Sequence, residues 1–195
     1  MPKEIRREVL HQPQEFEQWK EEDVQTIYER LEATNWAPWL VDRPERLAER
    51  VRVFPRGQIV LKDEKGLPIA CLSTNKLNWD DAPDPAGLPP SWDYCAGIAP
   101  ATSFESVHEP DGNALVILVI NIHPDYKGNR LSQKFLFQAV DLARAEGCDY
   151  VIGPFRPVCF GEHRMAGGED NVSQYAARRR IDGTGNRRTP CATSG

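Results

Sequence analysis

The chain predicts a three-layer αβα sandwich around a mixed central sheet, and three observations carry that expectation. The elements read in the order helix, helix, hairpin, strand, turn, helix, strand, which builds a sheet with helices on its faces. The run Ala114 to Ile120 is apolar and rich in β-branched residues, so dense that it reads as a strand covered on both sides. That strand then passes through a turn containing Pro124 and Gly128 into a segment with helical spacing.

The elements follow in order. Phe16, Trp19, Val24, Ile27, Tyr28 and Leu31 predict an amphipathic helix from Phe16 to Leu31 with an acidic outer face. A second helix is expected from about Arg43 to Val51, with Pro44 suited to a first helical turn. Between them, 35–40 is aromatic and broken by Pro38; Trp36 and Trp39 serve equally well as caps on the core. Gln58 to Lys62 and Leu67 to Leu77 read as strands joined through Asp63, Glu64, Lys65 and Gly66, a hairpin. Asn78 to Gly112 is rich in Pro, Asp, Ser and Gly, long for a connection in a compact domain. Trp79, Trp92, Tyr94, Ile98 and Phe104 make it too apolar for disorder, so an ordered flap over the mouth of a site is expected.

Leu131, Phe135, Leu136, Ala139, Val140 and Leu142 mark the helix after the turn, and Gly147 caps its end. Cys148 to Phe155 reads as the next parallel strand. After Pro157 the pattern fails: Gly167, Gly168, the run Arg178 to Arg180, and Arg187 with Arg188 suggest a solvated tail, with a short helix at most over 172–180. The expected organisation is one domain over 1–160 and a poorly ordered Arg/Gly-rich tail over 161–195, with no repeats.

Composition narrows the class. With 195 residues the chain can build one compact domain and little else. Apolar and charged fractions of 40% and 27% suit a globular protein in water. A formal net charge of −5 argues against general nucleic-acid affinity, which needs a basic face. Lys3 to Glu8 holds no apolar core of signal-peptide length, and the Ala114 to Ile120 run is far below the ~20 residues a membrane span requires. Five cysteines, odd in number and scattered, indicate neither a disulfide framework nor a metal site. The expectation is a cytoplasmic protein without a metal, in which Cys71 and Cys148 act as small apolar residues.

The turn is the chemical centre of the sequence. A helix that starts from a strand leaves unpaired N–H groups and partial positive charge at its first turn, a natural seat for phosphate. Lys127 and Arg130 add two full charges there. The same turn also serves a βα unit that binds nothing, since Gly and Asn are ordinary turn residues.

The stretch Lys127-Gly128-Asn129-Arg130-Leu131-Ser132, after its strand and Pro124, resembles the acyl-CoA-binding motif of the GCN5-related N-acetyltransferases (GNAT). Their pattern is Arg/Gln-x-x-Gly-x-Gly/Ala at the start of a long helix; here Arg130 and Ser132 stand at the two small-residue positions. The resemblance implies an acyl-CoA N-acyltransferase fold, shortened at its C-terminus, with acetyl-CoA or another acyl-CoA as cosubstrate. It implies an enzyme that transfers acetyl to the amine of a small molecule, and it admits a homodimer. Lys127, Gly128, Asn129, Arg130 and Ser132 would hold the pyrophosphate, and backbone N–H groups near Ile120 and Ile122 would polarise the thioester. The strand from Cys148 would splay from its neighbour to admit the pantetheine arm, and the region around Trp36 would face the acceptor. The missing closing strands equally fit a non-catalytic relative that binds CoA or a protein partner.

Acyl transfer also needs a proton acceptor. Glu105 and His108 are the base candidates because they lie just upstream of the motif strand, with Glu109 and His123 less favoured. Each has an ordinary role as a loop or turn residue, and water alone can serve as base. Tyr175 is poorly spaced to be the acid, and Cys159 lacks the partners of a nucleophile.

Overall fold

A computed structural model describes residues 15–38 and 40–154, together with Gly167 and the two short strands of the C-terminal segment. Chain contacts divide into two compact units, Met1–Gly153 and Pro154–Gly195. In the second, Arg180–Ile181 pairs antiparallel with Arg187–Arg188. Trp39, Cys159, Tyr175 and Cys191 lie outside the described residues, as does the helix expected over 172–180 except for Arg180, which stands in a strand.

The first unit is built on a five-stranded sheet in sequential order. Its strands are β1 (Phe16–Gln18), β2 (Gln58–Lys62), β3 (Pro68–Leu77), β4 (Ala114–Ile122) and β5 (Tyr150–Ile152). The first three junctions are antiparallel and β4–β5 is parallel, so the sheet is mixed. A hairpin joins β2 to β3 through the turn at Gly66, whose φ of +74° suits glycine. The parallel step needs a crossover, and α5 (Leu131–Ala145) supplies it.

On one face lie α1, a helical run over 21–35, and α2 (Pro44–Val53). Arg43 is the N-cap of α2 and Pro44 opens it, where a missing N–H costs nothing. Trp19, Ile27, Leu31 and Leu47 bury this face against Val60 and Cys71 of the sheet. On the other face α5 presents Leu131, Phe135, Ala139 and Ala143, all buried, to Leu72, Leu115 and Leu118. The buried stripe of α5 is narrower than the sequence reading and runs further: Leu136 is 37% exposed, and Ala143 joins Leu131, Phe135 and Ala139 inside.

Two expectations are corrected. The first helix does not begin at Phe16. Residues Phe16–Gln18 form β1, pairing Phe16 with Leu61, and helix starts only at Glu21. The reason is tertiary: the Phe16 ring meets Phe135 of α5 edge-on, with centroids 5.1 Å apart, a contact that a helix there would forfeit. The second concerns 78–112, which packs into the core beside α2 and β4, and none of its residues lines the cleft described below. Its two short helices, α3 (Trp92–Cys95) and α4 (Phe104–Val107), bury Cys95, Phe104 and Val107, and Ser91 and Ser103 cap their starts.

Candidate functional site: a cleft between the β4 edge and the start of α5

The first part of the site is an opening in the sheet. β5 pairs with β4 only at Ala114, Leu115 and Val116, so among the described residues the β4 edge from Ile117 onward has no parallel neighbour. In the same stretch β4 carries a bulge against β3. Ser73 pairs with Val119 and Thr74 with Ile117, leaving Leu118 as the extra residue. Bulges twist a strand and free its polar groups, and they recur beside active sites. The Leu118 carbonyl accepts a hydrogen bond from the Trp92 indole at 2.8 Å, so α3 anchors itself on the bulge.

The second part is the turn. After β4, His123 accepts a hydrogen bond from the Asp125 N–H, and Pro124–Tyr126 makes one 3-10 turn. Gly128 has φ +86°, and a Cβ added there would meet nothing within 4 Å, so its backbone faces open space. Asn129 turns inward and donates to the Tyr126 carbonyl at 3.0 Å, which braces the loop. Arg130 then starts α5 in the left-handed region, at φ 56° and ψ 22°. Side chains that occupy this region pay for it, and glycine does not. Among the described residues no side chain caps the start of α5, and its first turn has no acidic residue. Three N–H groups of the first turn are therefore left to solvent or to an anion.

A cleft of about 590 Å³ joins the two parts. Lys127, Gly128, Arg130, Leu131 and Ser132 line it on the turn side. Ile120, Asn121 and Ile122 of β4 line it on the strand side, with Asn35 and Trp36 from the end of α1 opposite. Of the residues predicted to hold a cofactor, Ile120, Ile122, Lys127, Gly128, Arg130 and Ser132 are thus brought together. Asn129 is not in the lining.

The two base candidates sit elsewhere. Glu105 is exposed on α4 and pairs with Arg52 at 3.1 Å, a contact that lowers its pKa. His108 lies against the rings of Phe54 and Phe104, its Nδ1 2.9 Å from the Asn75 side-chain oxygen, and burial lowers its pKa. Neither is among the residues that line the cleft.

The sequence reading missed Glu32. It is 4% exposed and stands behind Asn121, whose side-chain N–H donates to it at 2.8 Å. Burial pushes its pKa up to about 7, against the pull of Arg50, and Asp42 raises it further. Arg50 is itself buried and paired with Asp42. A sequence signal existed, because Glu32 and Asp42 break the acidic-outside pattern, yet nothing local places them together.

No family model matches the sequence, and no curated protein matches it. Solved structures do match. One is the loading GNAT-like domain of CurA from Lyngbya majuscula, at TM-score 0.69 and 16% identity over 90% of this chain and 79% of that one. Another is the GNAT-like decarboxylase GphF in complex with isobutyryl-CoA, at TM-score 0.65 and 22% identity over 90% and 80%. A third is the diaminobutyrate acetyltransferase EctA from Paenibacillus lautus, with its substrate and coenzyme A, at TM-score 0.51 and 9% identity over 86% and 80%. The fold, a mixed sheet flanked by helices, is the one that these GNAT and GNAT-like structures share.

Proposed function

We propose that the chain is an acyl-CoA-dependent N-acyltransferase that moves acetyl, or another short acyl group, from the CoA thioester to the amine of a small molecule. The observation that carries this reading is the cleft that joins the uncapped, positively flanked start of α5 to the open edge of β4. An acyl-CoA has a diphosphate at one end and a thioester at the other, and the cleft offers a suitable surface for each. Two of the similar structures hold CoA or an acyl-CoA, which supports the same assignment.

In this reading N–H groups of the turn and of the first turn of α5, with Lys127, Arg130 and Ser132, take the pyrophosphate. Gly128 keeps the backbone accessible, and Asn129 holds the loop in shape. Backbone N–H groups near Ile120 and Ile122 face the thioester oxygen as negative charge develops on it. The acceptor nitrogen attacks the carbonyl carbon, the C–N bond forms, the C–S bond breaks, and the thiolate takes a proton. The nitrogen's proton goes to water, because the base candidates Glu105 and His108 stand outside the cleft. The acceptor would be a small molecule, reached without a membrane or nucleic acid. Among the described residues no helix is long and apolar enough to cross a membrane.

Thiol release from acetyl-CoA in the presence of a panel of small amines tests the proposal. Amine-dependent release that saturates in both substrates is the expected result. Saturable CoA binding with no turnover on any amine would leave the non-catalytic module as the better reading.

A second reading has one observation in its favour. Among the described residues the cleft lining has no carboxylate and no imidazole to receive an amine's proton, whereas loss of CO2 from a carboxyl-bearing acyl-CoA needs none. There the C–C bond breaks, its electron pair enters the thioester enolate, and water protonates the carbon. CO2 release from a malonyl-type CoA without any amine would select this chemistry over the first.

A further inference from the structure

We infer that Trp36 is the wall that sets the size of the acyl group, and that Asn121 and Glu32 are positioning residues that hold it in place. The inference rests on the reading that an acyl-CoA occupies the cleft, and it adds which part of the chain selects the acyl group.

Trp36 is 38% exposed, yet it is tied at both ends. Its backbone N–H donates to the Glu32 carbonyl at 3.2 Å, and its indole N–H donates to Asn121 Oδ1 at 2.9 Å. The Asn121 NH2 group then donates to Glu32 Oε1 at 2.8 Å. The direction of this chain is not arbitrary. An indole N–H can only donate, so it must meet the amide oxygen, which leaves the amide nitrogen for the carboxyl group. With Asn121 and Glu32 2% and 4% exposed, the amide has no freedom to flip.

Local structure explains how Glu32 reaches this position. Residues Tyr28–Glu32 form a π-helical turn, a wider coil than the α-helix around it. The Asn35 side chain closes the same end of α1 by donating to the Leu31 carbonyl at 2.7 Å. The charges of Arg50 and Asp42 also act on the Glu32 carboxyl group, which is 4% exposed.

The consequence is chemical. The polar atoms at this end of the cleft are spent on one another, and side chains alternate along β4, so Asn121 faces α1 while Ile120 and Ile122 face away from it. Between the strand edge and α1 the cleft is walled by the Trp36 ring, with Asn35 beside it. A thioester held at the β4 edge would direct its acyl chain against a fixed indole. A wall of this kind admits short chains and refuses long ones.

The test compares affinities for free CoA, acetyl-CoA, butyryl-CoA and octanoyl-CoA, each acyl-CoA value divided by that for free CoA in the same protein. In the wild type the ratio should fall as the chain lengthens. Trp36→Ala should raise the octanoyl ratio at least roughly tenfold, the worth of about one methylene group in an apolar pocket. Trp36→Phe, which keeps a ring but loses the N–H, should raise it less and guards against a folding defect in the alanine variant. Asn121→Leu and Glu32→Ala should resemble Trp36→Ala because the indole is released. Glu32→Gln, which can still accept from Asn121, should restore the wild-type profile. Free CoA binding with an unchanged chain-length profile in Trp36→Ala and Trp36→Phe would overturn the inference and leave the acyl-CoA reading standing. Absence of binding by free CoA and every acyl-CoA in the folded wild type would remove that reading, and the inference with it.

Discussion

Arg130→Gly separates two effects that usually move together. Arg130 begins α5 at φ 56° and ψ 22°, a conformation that costs an L-residue roughly 1–2 kcal/mol. Glycine occupies it freely but gains about 0.5–1 kcal/mol of extra chain entropy in the unfolded state. The net expectation is a stabilisation of about 0.5–1 kcal/mol, which for a chain of this size raises Tm by roughly 1–4 °C. The substitution also deletes a guanidinium that lines the cleft, so binding of CoA should weaken by roughly 1–3 kcal/mol if its charge-assisted bonds are made. Ligand stabilisation grows with the logarithm of concentration over Kd, so the CoA-induced rise in Tm should shrink at every concentration. Thermal unfolding with and without CoA reads both quantities from one preparation. Arg130→Asn is the control, since Asn tolerates the left-handed region and carries no charge; it should behave like glycine. A lower Tm for apo Arg130→Gly would refute the strain argument. Tighter CoA binding would show that Arg130 blocks the cradle instead of completing it.

Other outcomes follow from the same geometry. Glu32, raised to about 7 from 4.5, binds its proton more tightly folded than unfolded, so its stabilising effect is full below pH 4.5 and is lost as pH rises through 7. Over that window it should cost the wild type roughly 3 kcal/mol, and Glu32→Gln should remove the slope. His108 and His123, both lowered, act in the opposite sense near 6.5, but they are common to the two proteins and cancel in the difference. Equal denaturation midpoints for the pair at pH 5 and at pH 8 would contradict the assignment. Gly128→Val should lose about 1–2 kcal/mol to the positive φ and abolish CoA protection while a folded spectrum remains; retained protection would remove the turn from the site. Glu105→Gln and His108→Asn should leave the pH–rate profile unchanged if water is the base, and a drop of roughly a hundredfold in kcat would identify the residue responsible. Phe135→Ala, in the core against Phe16, should cost about 3–5 kcal/mol in urea unfolding.

The sequence by itself determined the parts whose physics is local. The density of Ile, Val and Leu from Ala114 to Ile122 requires burial on two faces, and the chain has it there. Pro44 and Gly147 mark helix ends because their backbone limits hold in any context, and both stand where expected. The turn with Lys127, Gly128 and Arg130 was legible for the same reason. Tertiary structure decided what depends on distant partners. Phe16 became a strand residue because β2 and Phe135 were within reach, which no periodicity announces. Residues 78–112 joined the core by packing beside α2 and β4, which no local pattern announces. The bulge at Leu118 requires knowing how β3 and β4 pair, and the open edge beyond Val116 requires knowing where β5 stops. Glu32 meets Asn121 across 89 positions of chain, and its raised pKa exists only because folding removes water from around it and places Asp42 nearby. Local rules act through a few neighbouring dihedrals, whereas a buried polar chain such as Glu32–Asn121–Trp36 is a product of desolvation, which belongs to the assembled fold.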